Sequence, residues 1–500
     1  MSNPKARPNR IRPKLIFTAA VWAAVCLCSA LSFAAQGRSR DAFLLASDFH
    51  FNPMADASLV AALAAAPPTE WESILQRSRP DAFSQYGEDT NWWLLQSSLD
   101  AMRATLPNPA FVMVTGDLLA HRFPPTFLST THDSNREHYR KFVLKTVEFL
   151  ALELRKRFPD TQILLTPGNN DDDCGNYTIE PGGAFLDDTA DPVRSLAHGD
   201  DEFQSSWEKL GSYDMPNPAV RGVRIISLNG IFFSAKYHAE KFSQGCAPVA
   251  SSAASDLLTW LQSRLEAARQ AHEKVWLMFH IPPGIDSYFT IQNHQALAKA
   301  AGQPMTEQRC VSAIVPMWAP QWTAEFDSLL TKYGDTVVAG IAGHTHVDDF
   351  RVINSSAASP AFVLVNPAVS PVYDQNPGFR LVTFAKDGSL SGQSTYYLTN
   401  LLFASSHTPG VWKKEYTFSQ EWKLPRLDGA SLSKLYERIK SQPAVRDKWL
   451  KLYNISSSAV HLPPNSAPGL YCAIEGLDAK SYGSCYCAGA SAGSALPGNP

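Results

Sequence analysis

The chain has 500 residues, of which 45% are hydrophobic and 11% aromatic, which is enough to bury a sizeable core. Its 47 acidic and 44 basic residues leave a formal net charge of -3, and no dense run of Lys or Arg follows the first fourteen positions. This charge balance argues against nucleic acid as a partner. We expect one large domain with a smaller appendage.

Residues 1–35 have the layout of an export signal. Basic residues occupy the beginning, an apolar stretch runs from position 15 to 35, and Ser32 and Ala34 are small residues where a signal peptidase could cleave. We expect cleavage near Ala34. About 20 apolar residues are enough to span a bilayer, so an uncleaved membrane anchor is the alternative. Either outcome predicts a secreted or extracytoplasmic protein.

The cysteines point to the same compartment. Of the eight cysteines, Cys26 and Cys28 lie in the apolar stretch, which leaves six: Cys174, Cys246, Cys310, Cys472, Cys485 and Cys487. An even number in an exported chain favours disulfides, although their pairing cannot be deduced from the sequence. We expect the last three to pin a C-terminal module. Buried free thiols are the alternative.

Short apolar runs followed by polar clusters predict buried strands. They cover residues 43–45, 111–114, 163–165, 275–279, 337–341, 361–365 and 379–384. Between them, apolar residues recur every three or four positions over 137–157 and 255–272, which predicts helices. Strands that alternate with helices indicate a layered α/β domain, here over residues 41–396.

After residue 396 the pattern changes. Residues 397–487 are predicted to form a small, mostly helical module, with the clearest helical periodicity at 431–439. The Gly, Ala, Ser and Pro residues of 488–500 predict a disordered tail.

Residues that bind metals follow five of the predicted strands. Their order is Asp48 and His50, then Asp117, then Asn169, then His280, and finally His344 and His346. Ligands of α/β sheets bind beyond the carboxyl ends of strands, so these side chains can converge. Carboxylate, imidazole and amide oxygen suit Zn, Fe or Mn. Each residue alone is weak evidence of a site, but the ordered set is hard to obtain by chance.

The ordered motifs Asp-x-His, Gly-Asp, Gly-Asn-x-Asp, His and Gly-His-x-His resemble the signature of calcineurin-like metallophosphoesterases. The resemblance implies a layered β-sandwich flanked by helices. It also implies a ligand set: Asp48, His50 and His346 for one divalent ion, Asn169, His280 and His344 for the other, and Asp117 as the bridge. Zn is the expected ion, with Fe or Mn as alternatives. Two ions roughly 3.5–4 Å apart would lower the pKa of a bridging water, so that hydroxide attacks phosphorus directly.

Further motifs are similar to those of the acid sphingomyelinase-like phosphodiesterases. His121 follows Asp117 by four residues, as in that branch, where such a histidine lies beside the leaving group. Residues 366–373 and 376–380 resemble the segment that these enzymes carry after the last metal-binding histidines. The cysteine-rich helical module at the C-terminus is also similar to theirs.

Asn170 departs from the family, which usually has histidine after the metal-binding asparagine. An amide can donate a hydrogen bond but cannot deliver a proton. The resulting Gly-Asn-Asn-Asp resembles exported or membrane-anchored endopolyphosphatases. An alkoxide leaving group needs a general acid, which contributes about 10²–10⁴-fold, whereas a leaving phosphate is already a stable anion. Asn170 therefore favours nucleotide, polyphosphate or other activated substrates over sphingomyelin, while His121 as the acid keeps phosphodiesters open.

We expect a secreted hydrolase of phosphodiester or phosphoanhydride bonds that acts on a phosphorylated small molecule, nucleotide, polyphosphate or lipid. A phosphomonoesterase or sphingomyelin phosphodiesterase on the same metal core is the alternative. A catalytically silent binding module is another, although all seven metal positions are filled. Membrane contact has no support, because the C-terminal module shows no strong basic amphipathic face. The run Asp171-Asp172-Asp173 is predicted to be a solvated loop.

Overall fold

The computed structural model describes Met1 and residues 41–237, 252–301, 306–353, 357, 359–460 and 466–488. The predicted export signal, Cys246 and nearly all of the predicted C-terminal tail lie outside these ranges. Within them, no helix is both long and apolar enough to cross a membrane.

The described part of the chain forms twelve strands, β1 (Ala42–Ala46), β2 (Val112–Val114), β3 (Ile163–Leu165), β4 (Tyr213–Pro216), β5 (Val223–Leu228), β6 (Lys274–Phe279), β7 (Val337–Ala342), β8 (Asp349–Ile353), β9 (Ala361–Val365), β10 (Gly378–Phe384), β11 (Leu390–Leu398) and β12 (Trp412–Thr417). They make two six-stranded sheets with the orders β12-β11-β10-β1-β2-β3 and β4-β5-β6-β7-β9-β8. Strands β1, β2 and β3 are parallel, as are β5, β6, β7 and β9. The remaining pairs are antiparallel.

Helices flank the two sheets. The described α-helices are Val60–Ala65, Pro68–Leu75, Trp92–Thr105, Phe123–Thr131, Arg136–Arg157, Ala184–Ala197, Asp201–Leu210, Ala253–Gln270, Ser287–Ala301, Glu307–Ser312, Pro320–Lys332, Phe418–Trp422, Gly429–Ser441, Pro443–Tyr453, Ala467–Tyr471 and Ala479–Tyr486. Short 3-10 helices cover Ala57–Leu59, Gly230–Phe233 and Leu401–Phe403. In the helix Arg136–Arg157, the Asn135 side chain accepts the first backbone N–H groups and basic residues occupy the last turn, which complements the helix dipole.

The main core lies between the two sheets. Phe43 of β1 stacks on Phe111, with ring centroids 4.6 Å apart, and contacts Trp276 of β6 in the other sheet at 5.6 Å. The indole N–H of Trp276 donates to the carbonyl oxygen of Gly388 at 2.8 Å. Side chains from the two facing sheets thus pack into one apolar layer, as in other two-sheet folds.

The predicted architecture is confirmed, since the chain forms layered, mixed sheets flanked by helices. Each predicted strand corresponds to a strand of the structure, and the helices predicted over 137–157 and 255–272 correspond to Arg136–Arg157 and Ala253–Gln270. The parallel strands β1, β2 and β3, together with β6 and β7, direct their carboxyl ends to one side, where the predicted ligands follow them.

The C-terminal part is joined to the sheets through strands and a buried polar cluster. Strand β12 pairs with β11, so the first sheet includes residues beyond position 397. The Asp348 carboxylate accepts hydrogen bonds from Arg380, from Thr395 Oγ1 at 2.5 Å and from the Tyr416 hydroxyl at 3.0 Å. The division of the chain at residue 397 stays a prediction.

Two disulfides fasten the last helices. Cys472 pairs with Cys485, and Cys310 pairs with Cys487 across a sequence separation of 177 residues. Cys174 is also disulfide-bonded. Disulfides of the C-terminal cysteines are thus present, and the Cys310–Cys487 bond ties the last helix to the segment between β6 and β7.

Removal of the long-range bond is expected to destabilise the chain more than removal of the local one. The bonds join residues 177 and 13 positions apart, for which the chain-entropy model gives a difference of about 2 kcal/mol. The double variant Cys310→Ala/Cys487→Ala should therefore unfold at lower denaturant than Cys472→Ala/Cys485→Ala under non-reducing conditions. An equal or smaller loss in the first variant would contradict the tethering role.

Candidate metal centre

Five of the seven predicted ligands have left-handed backbones. The φ angles are 52° at Asp48, 41° at His50, 53° at Asp117, 75° at His344 and 62° at His346. Residues other than glycine rarely adopt this conformation, and its cost persists only where surrounding contacts enforce it. The sharp turns after β1, β2 and β7 bring these side chains to one point.

The loops that carry the ligands are held by backbone hydrogen bonds that continue the pairing of the sheet. Asp48 N donates to Gly116 O at 3.0 Å and His50 N donates to Asp117 O at 2.9 Å. On the other side, Gly343 N donates to His280 O at 2.9 Å. The parallel strands therefore fix the ligand loops relative to each other.

Two motif glycines are required by close approach of neighbouring chain segments. A Cβ at Gly343 would lie 1.9 Å from Ser47 Oγ and 2.7 Å from Asp48 Oδ2. A Cβ at Gly168 would lie 2.1 Å from both the backbone nitrogen and Oδ1 of Asp117. Any side chain at these positions would displace a predicted ligand.

One group of donor atoms gathers around His50. His50 Nε2 lies 3.1 Å from His346 Nε2 and 3.4 Å from Asp117 Oδ2, and His346 Nε2 lies 3.3 Å from Asp48 Oδ1. All four residues are buried. This group contains the three residues predicted for one ion, together with the predicted bridge.

A second group gathers around His280. His280 Nε2 lies 3.0 Å from Asn169 Oδ1, 3.2 Å from Asp117 Oδ2 and 3.3 Å from His344 Nδ1. His344 is partly exposed and the other three are buried. Asp117 Oδ2 thus lies between the two groups, and the structure brings all seven predicted residues together.

The donor set fits positively charged ions. His50 Nδ1 lies 3.0 Å from Leu119 O and His280 Nδ1 lies 2.6 Å from Thr115 O, so each Nδ1 carries the proton that these carbonyls accept. In a neutral imidazole the Nε2 lone pair then faces other acceptor atoms. Asn169 also turns its oxygen inward, because its Nδ2 donates to Asn176 Oδ1 at 2.7 Å. Two divalent ions fit this His and Asp cluster.

The buried carboxylates set the electrostatics of the centre. Burial alone would lower the pKa of His50 and of His280, but the charges of Asp117 and Asp48 raise both to about 9. Burial opposes ionisation of Asp117, yet His280 and His50 hold the pKa of this carboxyl well below its usual range. The two buried carboxylates therefore favour positive charge beside the Nε2 atoms of His50 and His280.

His121 lies beside the first group and is oriented by Asp89. Its ring stacks on that of His50 with centroids 4.0 Å apart. The Asp89 carboxylate accepts from the backbone N–H of His121 at 2.8 Å and lies 2.9 Å from Nδ1, so Nδ1 carries a proton and Nε2 is left for another partner. Burial would raise the pKa of Asp89, but the hydrogen bond with His121 lowers it. Asp89 was missed by the sequence analysis, since no motif surrounds it.

Asn170 contacts the central carboxylate. Its backbone N–H donates to Asp117 Oδ1 and its side-chain amide donates to Asp117 Oδ2, both at 2.8 Å. In this structure Asn170 therefore orients the carboxylate that lies between the two groups of ligands.

The run Asp171-Asp172-Asp173 is buried, so the prediction of a solvated loop is wrong. Asp171 accepts backbone N–H groups from Leu118 at 2.7 Å and Gly168 at 2.8 Å. Burial and the charge of Asp117 raise its pKa to about 6. The final Asp of the Gly-Asn-x-Asp motif thus organises the loops around Asp117, a role that its place in the motif could have suggested.

Two successive segments of the chain match known protein families. Residues 42–348 match the calcineurin-like phosphoesterase family, and residues 351–491 match the acid sphingomyelin phosphodiesterase C-terminal region. The chain is 26% identical over 416 residues to sphingomyelinase phosphodiesterase D of Dictyostelium discoideum, covering 81% of each. It is 23% identical over 408 residues to mouse acid sphingomyelinase-like phosphodiesterase 3b, covering 79% of this chain and 80% of that one. It is 24% identical over 422 residues to human cyclic GMP-AMP phosphodiesterase SMPDL3A, covering 82% of each.

Gly343→Ala is expected to weaken metal binding by about 10-fold or more, because the new methyl group would displace Asp48 and the Ser47 hydroxyl. Metal content after gel filtration and the thermal midpoint should both fall. Gly392→Ala in β11 is the matched control, since the nearest atom to its Cβ would be Thr383 Oγ1 at 3.3 Å. Full metal occupancy at unchanged affinity in Gly343→Ala would contradict the close approach of Gly343 to Asp48.

Proposed function

The chain belongs to the calcineurin-like phosphoesterase family of metal-dependent phosphoester hydrolases, and we propose that it is an exported two-metal hydrolase of phosphodiester and phosphoanhydride bonds. The observation that carries this proposal is the convergence of seven ligand residues from five strand ends on one buried point. The relatives named above are phosphodiesterases, which supports the phosphodiester part.

We assign Asp48, His50 and His346 to one ion, and Asn169, His280 and His344 to the other. Asp117 would bridge them, since its Oδ2 lies within 3.4 Å of His50 Nε2 and 3.2 Å of His280 Nε2. Zn, Fe and Mn all suit this mixture of imidazole and oxygen ligands, and we favour Zn. When bound, two such ions supply Lewis acidity to the phosphoryl oxygens and lower the pKa of a water between them.

The protein residues supply orientation and proton transfer. Asn170 holds Asp117 through two hydrogen bonds, and the second hydrogen of its Nδ2 is available to an oxygen in the cleft. We assign the general acid to His121, because Asp89 holds its Nδ1–H and leaves Nε2 available to a substrate. The Tyr373 hydroxyl lies 3.5 Å from Nε2, at the mouth of the centre.

The substrates follow from these two roles. Phosphodiesters such as sphingomyelin or cyclic nucleotides, which the names of the relatives suggest, need the His121 proton for an alkoxide leaving group. Phosphoanhydrides do not need it, because a phosphate leaves as a stable anion. Asn170 in place of a second histidine favours the activated substrates.

We propose that the protein is exported and acts outside the cytoplasm. The disulfides Cys310–Cys487 and Cys472–Cys485 are consistent with an oxidising, extracytoplasmic environment. The apolar stretch at residues 15–35 would direct the chain there, either cleaved near Ala34 or retained as an anchor.

The first test compares hydrolysis of bis(p-nitrophenyl) phosphate, p-nitrophenyl phosphate, ATP and sphingomyelin by the Zn-loaded protein. Activity should be lost with a chelator and fall at least about 100-fold in Asp117→Asn, because the carboxylate that joins both ligand groups is removed. The exposed Asp256→Asn is the control and should keep full activity. Undiminished turnover in Asp117→Asn or in excess chelator would refute the two-metal mechanism.

The general acid is tested with two thymidine phosphodiesters, one that releases p-nitrophenolate and one that releases a nucleoside alkoxide. His121→Gln should lower kcat for the alkoxide substrate by about 10²–10⁴-fold and affect the p-nitrophenyl ester much less. Asp89→Asn should give a smaller loss with the same preference and a shifted pH profile.

His138→Gln provides the matched control for this test. His138 pairs with Asp133 at 2.7 Å in the same Nδ1 geometry, but its side chain is 60% exposed to solvent. Its kinetics should equal those of the unmodified protein. An equal loss on both esters in His121→Gln would argue against proton transfer to the leaving group.

A further inference from the structure

A cleft of about 320 Å³ opens beside the metal centre. Its lining includes His121, Arg122, Phe123, Asn170 and Asn176. His121 contacts the first ligand group through its stacking on His50, and Asn170 contacts the bridging Asp117. Because the proposed general acid lies in its wall, this cleft is on the side where the leaving group departs.

Arg122 is the cationic residue of this lining. Its side chain is exposed, and in the described part of the chain no carboxylate lies within ion-pairing distance of its guanidinium. The next arginines along the chain are engaged, since Arg136 pairs with Asp173 at 3.1 Å and Arg140 pairs with Asp188 at 2.6 Å. Arg122 therefore has its donors available for a ligand.

The backbone presents this side chain to the cleft. Arg122 has a left-handed φ of 53° and immediately precedes the helix Phe123–Thr131. Pro124 and Pro125 follow in the first turn, so their nitrogens have no hydrogen to offer an anion. The Arg122 guanidinium is therefore the charged donor of this lining, in a geometry that suits two oxygens of one phosphate.

A second cation near the centre, Lys236, is already occupied. Its Nζ lies 3.6 Å from Asp286 Oδ2 and 4.3 Å from the centre of the Phe289 ring. The two cations therefore differ, because Lys236 is neutralised by a carboxylate whereas Arg122 faces the cleft unpaired. Of these two cations, the one without a carboxylate partner therefore lies on the proposed leaving-group side.

We propose that Arg122 and the adjoining cleft form an anion subsite that binds a phosphate carried by the leaving group. This inference rests on the proposed function and narrows its substrates to inorganic polyphosphates, nucleoside polyphosphates and other molecules with a phosphate on the departing side. A water molecule loses one proton to bulk solvent and its oxygen forms the new bond to phosphorus, while the bridging P–O bond breaks with its electron pair kept by the leaving phosphate. The two guanidinium N–H groups donate to that phosphate, which leaves without a proton.

The test compares inorganic tripolyphosphate with the p-nitrophenyl ester of thymidine 5′-phosphate, whose leaving group carries no phosphate. Arg122→Gln should raise KM for tripolyphosphate about 10- to 100-fold more than for the ester, because a charge-assisted hydrogen-bond pair is lost. Arg122→Lys should recover part of this difference, since an ammonium keeps the charge but not the two-pronged geometry.

The matched control is Arg221→Gln, which removes the same charge from an exposed turn between β4 and β5. It should leave the ratio of the two KM values unchanged. An unchanged tripolyphosphate KM in Arg122→Gln, or an equal rise for both substrates, would overturn the subsite. Thermal unfolding of each variant checks that the fold is intact.

A binding measurement separates failure of the subsite from failure of the proposed function. If the unmodified protein hydrolyses neither substrate, the proposed function fails, and calorimetric titration of the same protein with inorganic pyrophosphate still reports on Arg122. Weaker pyrophosphate binding in Arg122→Gln than in Arg221→Gln would support the anion subsite. Equal binding in both variants would overturn it.

Discussion

The contact of Asp117 Oδ2 with both His50 and His280 is the interaction on which the centre depends. Each of these histidines comes from a different sheet, so this single carboxylate joins the two layers at their common edge. A buried carboxylate in this position is stable only with positive charge beside it. Asn170 and the turn around Asp171 keep the carboxylate in place, which explains why so many neighbouring donors are directed at one residue.

The left-handed backbones of the ligands are a consequence of the same convergence. The carboxyl ends of parallel strands lie at one edge of the sheet. The segment after each strand must then turn abruptly so that its side chain points inward. The hydrogen bonds between the loops after β1 and β2 hold this strained geometry, and Gly168 and Gly343 allow the loops to approach. Packing of the two sheets around Trp276 and Phe43 therefore supports the site as well as the fold.

In the function that we propose, two residues divide the tasks on the leaving-group side. His121, oriented by Asp89, would protonate an alkoxide, whereas Arg122 would bind a phosphate that needs no proton. Asn170 is turned toward Asp117 and so acts on the metal centre more than on the leaving group. This division accommodates both the phosphodiesters suggested by the relatives and the phosphoanhydrides favoured by the Gly-Asn-Asn-Asp motif.

The sequence by itself determined seven of the twelve described strands, the two longest described helices and the seven ligand candidates. This was possible because apolar periodicity is a local property and because each ligand directly follows its own strand. Tertiary structure alone decided the Asp89–His121 pair, the burial of Asp171, Asp172 and Asp173, and the pairing of Cys310 with Cys487. Each of these depends on the surroundings that distant segments provide once the sheets have packed. The local sequence pattern does not reveal which distant segments will lie next to each other.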